Sequence, residues 1–261
     1  MAVAAQAKAV RHNRFWEIDL FRTIAVAMMI TFHTLYLLNY FDIRNTGVPA
    51  PPYGFWWWFP RMTGGIFIFT AGVSLTIAYS KVKRTWPFMR RGLEIFAWGM
   101  GITLVTWLIS PEGYVRFGIL HFFGIAFILA PFFLRFRFIN LILGAALMAA
   151  GVYLQVQRIY FDFPGLLWLG LMPRGFSTWD YWPLLPWFGL FLLGMFCSTM
   201  LYPQGSRRFG IPELTDPVTS ALTLPGRHPL VIYLAQWPAI IGILLLVFPG
   251  SVLPYFPPFP F

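Results

Sequence analysis

Charged residues are scarce in this 261-residue chain. They make up 11% of it, and only 9 residues are acidic against 19 Lys and Arg. Hydrophobic residues make up 58% of the chain, and its mean hydropathy is +0.67. This composition excludes an ordinary soluble globular protein and predicts a polytopic membrane protein. The net charge of +10 is therefore attributed to membrane orientation, and no nucleic-acid partner is expected.

Cysteine is almost absent as well. The single Cys197 excludes an intrachain disulfide and any multi-cysteine metal site. The four histidines form neither an HxxxH nor an HExxH pair, so we expect no metal. The chain also lacks a P-loop and a GxGxxG fingerprint. It has no internal repeat, which disfavours a transporter.

Long apolar runs are abundant, and they predict an all-α fold. We expect a polytopic transmembrane helix bundle of about seven spans, forming one domain over residues 1–261, with a cytoplasmic segment at 1–16. Residues 249–261 should form an outside tail that is too rich in proline for a helix. The predicted spans are 20–41, 57–80, 88–109, 117–134, 138–156, 184–202 and 229–248.

The distribution of cations predicts the orientation of these spans. With the N-terminus placed in the cytoplasm, thirteen of the 19 Lys and Arg fall on predicted inside segments and five on outside segments. Cytoplasmic loops normally carry this excess. We therefore expect a multi-pass membrane protein with its N-terminus cytoplasmic and its C-terminus outside.

The first predicted span contains ionisable residues. At 100° per residue, Asp19, Arg22 and His33 fall within about 60° of one another around the helix. Each such group costs on the order of 3 kcal/mol in lipid unless it faces protein or water, so this stripe should face a protein interior. Asp19 and Arg22 could form an orienting ion pair or bind substrate. His33 could be a packing histidine or a functional one.

A second group of polar residues is expected at the outer side. His121 enters span 117–134 at the predicted depth of His33, and Asp180 just precedes span 184–202. A neutral imidazole can take a proton from a hydroxyl or amine, and a carboxylate can hold its tautomer. We therefore predict that His33, His121 and Asp180 are catalytic, although hydrogen-bonded structural histidines would give the same pattern.

Four stretches in fixed order carry a family resemblance. They are WEIDLFRTIAVAMMITFH, GGIFIFTAGVSLTIAY, RFGILHFFGIAFILAP with DYWPLLPWFGLFLLG, and GRHPLVIYLAQWP. They resemble bacterial membrane proteins grouped with the catalytic domain of heparan-alpha-glucosaminide N-acetyltransferase. The resemblance covers nearly the whole chain.

The resemblance implies a transmembrane acyltransferase of the bacterial cytoplasmic (inner) membrane that moves an acetyl group from cytoplasmic acetyl-CoA to a sugar or glycan outside. His33 would be the general base or a transient acyl carrier. Cations near the cytoplasmic edge would meet the CoA phosphates, namely Arg22, Lys83, Arg84, Arg90, Arg91 and Arg227. Substrate contacts are expected from Asp19, Arg61, Arg116 and Gln236. Membrane lipids, a carbohydrate acceptor and other membrane subunits are the expected partners.

The chain departs from the family pattern at two places. Thr23 follows Arg22 where the family usually has Gly, and Pro229 and Gln236 stand where it usually has Ser and His. An amide cannot act as a base. The alternative function is therefore a non-catalytic accessory or structural subunit of a larger membrane complex that keeps the acyltransferase scaffold.

The predicted topology can be tested with reporter fusions. A reporter placed after Lys83 should lie in the cytoplasm and one after Phe261 outside, because an odd number of spans separates the chain ends. Alkaline phosphatase and green fluorescent protein activities read the two compartments. Finding both reporters in one compartment would reject the seven-span topology.

Overall fold

The computed structural model describes residues 14–49, 54–214 and 216–255. Its regular structure there is helical, and one isolated bridge joins Phe117 to Tyr181. The helices are α1 (Trp16–Tyr40), α2 (Phe55–Val82), α3 (Trp86–Ile109), α4 (Ile119–Leu129), α5 (Phe138–Val156), α6 (Leu184–Leu201), α7 (Pro217–Arg227), α8 (Pro229–Val247) and α9 (Pro249–Val252).

The predicted fold class is confirmed. Six helices, α1, α2, α3, α5, α6 and α8, are long and apolar enough to cross a membrane. The predicted fourth span is shorter, because α4 passes into a 3-10 turn at Ala130–Phe132 that contains Pro131. Together they extend about 22 Å, against a hydrocarbon core of roughly 30 Å. Long helices suit lipid because they satisfy their backbone hydrogen bonds internally.

The structure differs from the predicted spans at three places. α1 begins at Trp16, four residues before the predicted span. α7 lies outside every predicted span, and Asp216 caps its start by accepting the Thr219 N–H at 2.9 Å. Hydrogen bonds from Thr219 lower the pKa of the Asp216 carboxyl. The proline-rich tail was wrongly expected to be free of helix, since Pro249–Val252 forms one turn with proline at its first position. Residues 1–13 and 256–261 lie outside the described residues.

The helices group into two compact units, and the division falls within α2. One unit comprises the described residues of Met1–Phe67 and Pro212–Phe261, and the other comprises Ile68–Ile211. The single domain over 1–261 stays a prediction.

In the first unit, α8 runs parallel to α1. The start of α1 lies against the end of α7, while its other end packs with α8 and α9 in a cluster that includes Leu37, Phe41, Leu244 and Val252. Since later residues of α1 contact later residues of α8, the two helices must run in the same direction. This alignment decides which polar residues of α1 and α8 meet.

In the second unit, α3 packs on α4 and α5 on α6. Gly144 and Gly189 face each other so closely that a Cβ on Gly144 would lie 2.9 Å from the Gly189 carbonyl oxygen. Small residues allow such backbone approaches in lipid. Gly72 of α2 likewise lies against the Phe191 carbonyl of α6.

The helices expose large apolar side chains. Leu246 of α8 is 85% exposed, Ile142 of α5 69% and Leu108 of α3 68%. Such surfaces are unfavourable in water but suit contact with lipid tails. The chain is therefore a multi-pass membrane protein in contact with lipid.

The packing of α7 on α1 can be tested with two glycines of the first unit. A Cβ on Gly226 would overlap the Asp19 carbonyl oxygen, whereas Gly242 of α8 has no atom within 4 Å of the corresponding position. We expect Gly226→Ala to destabilise the protein by about 1–3 kcal/mol. Gly242→Ala should be neutral or stabilising by up to about 1 kcal/mol. Thermal melting in detergent measures both, and equal melting temperatures would contradict the close contact.

Candidate functional site

The first polar cluster lies at the start of α1 around Asp19. Asp19 is 5% exposed, and its two carboxylate oxygens face different arginines. Arg22 Nη1 lies 3.7 Å from Oδ1, and Arg227 Nε lies 3.6 Å from Oδ2. The predicted pairing of Asp19 with Arg22 is present, and the fold adds Arg227 from the end of α7. Two guanidinium groups share one carboxylate, so these three side chains together carry a net positive charge.

Thr23 explains how Arg227 reaches this cluster. Its hydroxyl donates to the Asp19 carbonyl at 3.1 Å and accepts the Gly226 N–H at 2.9 Å. The threonine therefore bridges α1 and the end of α7. Arg227 Nη2 also donates to the Thr223 hydroxyl at 2.7 Å, which orients its guanidinium.

His33 lies against α8 in the same unit. Its ring packs on that of Trp237, with the two ring centroids 5.4 Å apart. The side chain of Gln236 also lies beside it. His33 Nδ1 and both amide atoms of Gln236 are buried without a well-formed hydrogen bond to any described residue. Buried polar atoms normally have partners. His33 on α1 and Gln236 on α8 therefore offer unused hydrogen-bonding atoms at one place.

His121, by contrast, has both ring nitrogens occupied. It is 2% exposed, and Nδ1 accepts the Gly118 N–H at 3.2 Å. Nε2 lies 3.2 Å from the Thr103 hydroxyl, which itself donates to the Val115 carbonyl at 2.7 Å. This network assigns the proton to Nε2, which donates to Thr103. His121 therefore ties α3 to the start of α4.

Asp180 lies at the same end of α4 as His121. Its Oδ2 accepts the Ile119 N–H at 2.9 Å, which satisfies one of the free amides at the helix N-terminus. The Arg116 guanidinium lies 5.0 Å from the ring centre of Tyr114 and 5.4 Å from that of Phe176. Asp180 and Arg116 thus fasten the segment before α6 to the start of α4.

The remaining predicted cations are exposed or contact residues of their own helix. Arg61 donates to the Trp57 carbonyl of its own helix at 2.7 Å, with its guanidinium 3.6 Å from the Trp57 ring centre. Arg90 and Arg91 both pair with Glu94, at 3.1 and 3.2 Å. Lys83 and Arg84 are exposed in the segment between α2 and α3.

The structure therefore brings together three groups of predicted site residues: Asp19 with Arg22 and Arg227, His33 with Gln236, and His121 with Asp180. His33 belongs to the first unit and His121 to the second, and their meeting stays a prediction. Thr23, Thr103 and Trp237 were missed. A threonine within an apolar helix is a weak signal, since it usually bonds its own backbone. No group of metal-ligating side chains occurs within the described ranges.

These features define a polytopic membrane protein with buried polar clusters between its helices. Residues 14–238 match the model of a protein family described as heparan-alpha-glucosaminide N-acetyltransferase, catalytic. The match covers most of the chain, so the protein belongs to this family of membrane acetyltransferases. No curated protein and no solved structure matches the chain.

The role of Thr103 can be tested by two substitutions. Thr103→Val removes the hydroxyl and leaves His121 Nε2 buried without its acceptor, which we expect to cost about 1–3 kcal/mol of stability. Thr103→Ser keeps the hydroxyl and should cost less. Thermal melting of the detergent-solubilised protein compares them. A Val variant as stable as the Ser variant would show that His121 is not held through Thr103.

Proposed function

We propose that this protein transfers an acetyl group from cytoplasmic acetyl-CoA to a sugar or glycan acceptor on the outer side of the bacterial cytoplasmic membrane. The family match over residues 14–238 supports the reaction class. In this proposal the N-terminus is cytoplasmic and the C-terminus outside, as the cation distribution predicts.

The observation that carries the proposal is the unused ring nitrogen of His33. Nδ1 is buried without a well-formed hydrogen bond to a described residue, although the Gln236 side chain lies close to the imidazole. A general base must be free to accept a proton from its substrate. Among the histidines predicted to be catalytic, only His33 has a free ring nitrogen, because both nitrogens of His121 are engaged.

In the direct route, the acceptor oxygen or nitrogen attacks the acetyl carbonyl carbon while His33 takes its proton. The carbon–sulfur bond then breaks, and the CoA thiolate leaves with a proton returned by the imidazolium. In the acyl-carrier route, the imidazole nitrogen attacks the acetyl carbonyl carbon, the carbon–sulfur bond breaks, and CoA leaves with the proton of the other ring nitrogen. The acceptor oxygen or nitrogen then attacks the acetyl group, the bond between acetyl and imidazole breaks, and the acceptor proton passes to the ring. Both routes yield acetylated acceptor and CoA.

The donor would meet the cationic ends of the helices. Arg22 and Arg227 are partly exposed, at 21% and 30%, and both face the Asp19 carboxylate. Two neighbouring guanidinium groups fit phosphate groups, which they bind in a bidentate manner. We propose the exposed cations of the α2–α3 region as further phosphate contacts: Lys83, Arg84, Arg90 and Arg91.

The other predicted residues would shape the site. His121 and Asp180 hold the start of α4, and we propose that they position the outer end of the catalytic region. Arg61 and Arg116, each lying over aromatic rings, would line the approach of the acceptor. Gln236 would place its amide beside His33 and hydrogen-bond the reacting group, so its unpaired atoms would gain partners when substrate is present.

A second function is favoured by Gln236 itself. This residue replaces the histidine that the family usually carries, and an amide cannot exchange a proton as an imidazole does. The chain would then be an accessory subunit that keeps the acyltransferase scaffold. The two functions differ in whether the purified protein transfers acetyl groups or only associates with other subunits.

Acetyl transfer by purified protein in liposomes tests the proposal. With radiolabelled acetyl-CoA and glucosamine, the parent should release CoA and form an acetylated sugar. We expect His33→Ala to lower kcat by about 100-fold or more, since loss of a positioned base typically costs 100- to 10,000-fold. Liquid chromatography of the labelled product measures the rate.

His228→Ala is the matched control, because His228 is exposed at the junction of α7 and α8. Its rate should equal that of the parent. Equal rates for the parent and His33→Ala would reject His33 as the catalyst. A parent without acetyl transfer that copurifies with other membrane subunits in fixed stoichiometry would favour the accessory function.

A further inference from the structure

A polar cavity lies at the end of α1, in the segment that leads to α2. Its volume is about 440 Å³, within the range of small-molecule sites. It lies entirely within the first unit, and nothing above assigns it a role. The lining residues are Asn39, Asp42, Arg44, Asn45, Gly47, Val48 and Pro49.

The cavity is built on the C-terminal cap of α1. The Ile43 N–H donates to the Leu38 carbonyl at 3.0 Å, and the Asp42 N–H donates to the Asn39 carbonyl at 3.2 Å. These two bonds form a Schellman motif, and Ile43 and Leu38 pack against one apolar cluster, a contact that often accompanies this motif. Val48 is fully buried behind the cavity. The cavity therefore has a defined wall of backbone and apolar side chains.

Asp42 occupies the cap position that favours glycine. Its φ is +53°, in the left-handed region. Glycine adopts this conformation without steric cost, whereas aspartate is tolerated but less favourable. The helix cap itself thus does not require a carboxylate here, and the side chain faces the cavity instead.

The charged groups of the cavity are not paired with each other. Asp42 Oδ2 accepts the Tyr255 hydroxyl at 2.6 Å, and no ion pair links Asp42 to Arg44. The Arg44 guanidinium has no salt-bridge partner among the described residues, although a carboxylate lines the same cavity. The second Asp42 oxygen and the Arg44 guanidinium remain available to a ligand.

The two asparagines add further unused donors. Asn39 and Asn45 use their carbonyl oxygens to accept the Thr46 and Gly47 N–H groups, at 3.4 and 3.1 Å. Their amide nitrogens donate to no other described residue. The cavity therefore offers amide and guanidinium donors together with a carboxylate acceptor, and apolar contact comes mainly from Val48 and Pro49.

We propose that this cavity binds one sugar unit of the acceptor. The proposal rests on the acetyltransferase function proposed above. A sugar ring presents hydroxyl groups that both donate and accept, which matches a mixed set of this kind. The Asp42 carboxylate would accept from a sugar hydroxyl or ammonium group, while Arg44 and Asn45 would donate to ring oxygens.

Direct binding of glucosamine to the full-length protein in detergent tests this site without any acetyl transfer. Saturation-transfer NMR and a titration with the unlabelled sugar give the affinity. Asp42→Gly removes the carboxylate and leaves a residue suited to the left-handed cap, so the helix end should keep its stability. We expect this variant to bind glucosamine at least tenfold more weakly, with an unchanged or higher melting temperature.

Three controls make the result specific. Asp162→Gly removes an exposed carboxylate of the second unit and should leave binding unchanged. Tyr255→Phe removes the hydroxyl that contacts Asp42 but keeps the carboxylate, and should also bind. Asn45→Ala removes a donor elsewhere in the cavity and should weaken binding even if Asp42→Gly fails to fold. Ethanolamine carries the ammonium group without the ring and should not compete.

The proposal is overturned if the parent does not bind glucosamine, if Asp42→Gly and Asn45→Ala bind it as the parent does, or if ethanolamine competes equally. Release of CoA from acetyl-CoA, measured on the same parent sample, tests the proposed function separately. Acetyl transfer with no sugar bound in this cavity would reject the site alone. Sugar binding without acetyl transfer would reject the enzymatic function and leave the site.

Discussion

The hydrogen bond between the Thr23 hydroxyl and the Gly226 amide sets the alignment on which the first unit depends. It holds the end of α7 against the first turns of α1, at a contact where any side chain on Gly226 would clash. α8 starts two residues later and runs parallel to α1. Gln236 therefore arrives beside His33, and the segment after α8 arrives at the end of α1, where Tyr255 meets Asp42.

The same residue type takes two different roles in the two units. His121 is fixed on both sides by Gly118 and Thr103, so its ring completes the packing of α3 on α4. His33 has the rings of Phe32 and Trp237 and the Gln236 amide beside it, and its Nδ1 is without a hydrogen-bond partner among the described residues. An unpaired polar atom is costly in an apolar interior, which is the physical reason to connect His33 with a ligand.

α1 connects the elements of the proposed reaction. Arg22 lies eleven residues before His33, and Asp42 lies nine residues after it. At 1.5 Å per residue these intervals correspond to about 16 and 13 Å along the helix. A donor held by cations at one end and a sugar held at the other would both approach the imidazole between them. In the first unit, the proposed donor contacts, base and acceptor cavity are thus ordered along one helix.

The sequence by itself determined the membrane class, the six long apolar helices and the Asp19–Arg22 pair. Long apolar runs leave the backbone few alternatives in lipid, and residues three apart on a helix are neighbours by geometry. Only the tertiary structure decided that Arg227 joins Asp19, that Gln236 faces His33, and that His121 is already satisfied. The contacts Thr103–His121, His33–Gln236 and Asp19–Arg227 join residues 18 to more than 200 positions apart. Helix periodicity carries no information about which faces of distant helices meet.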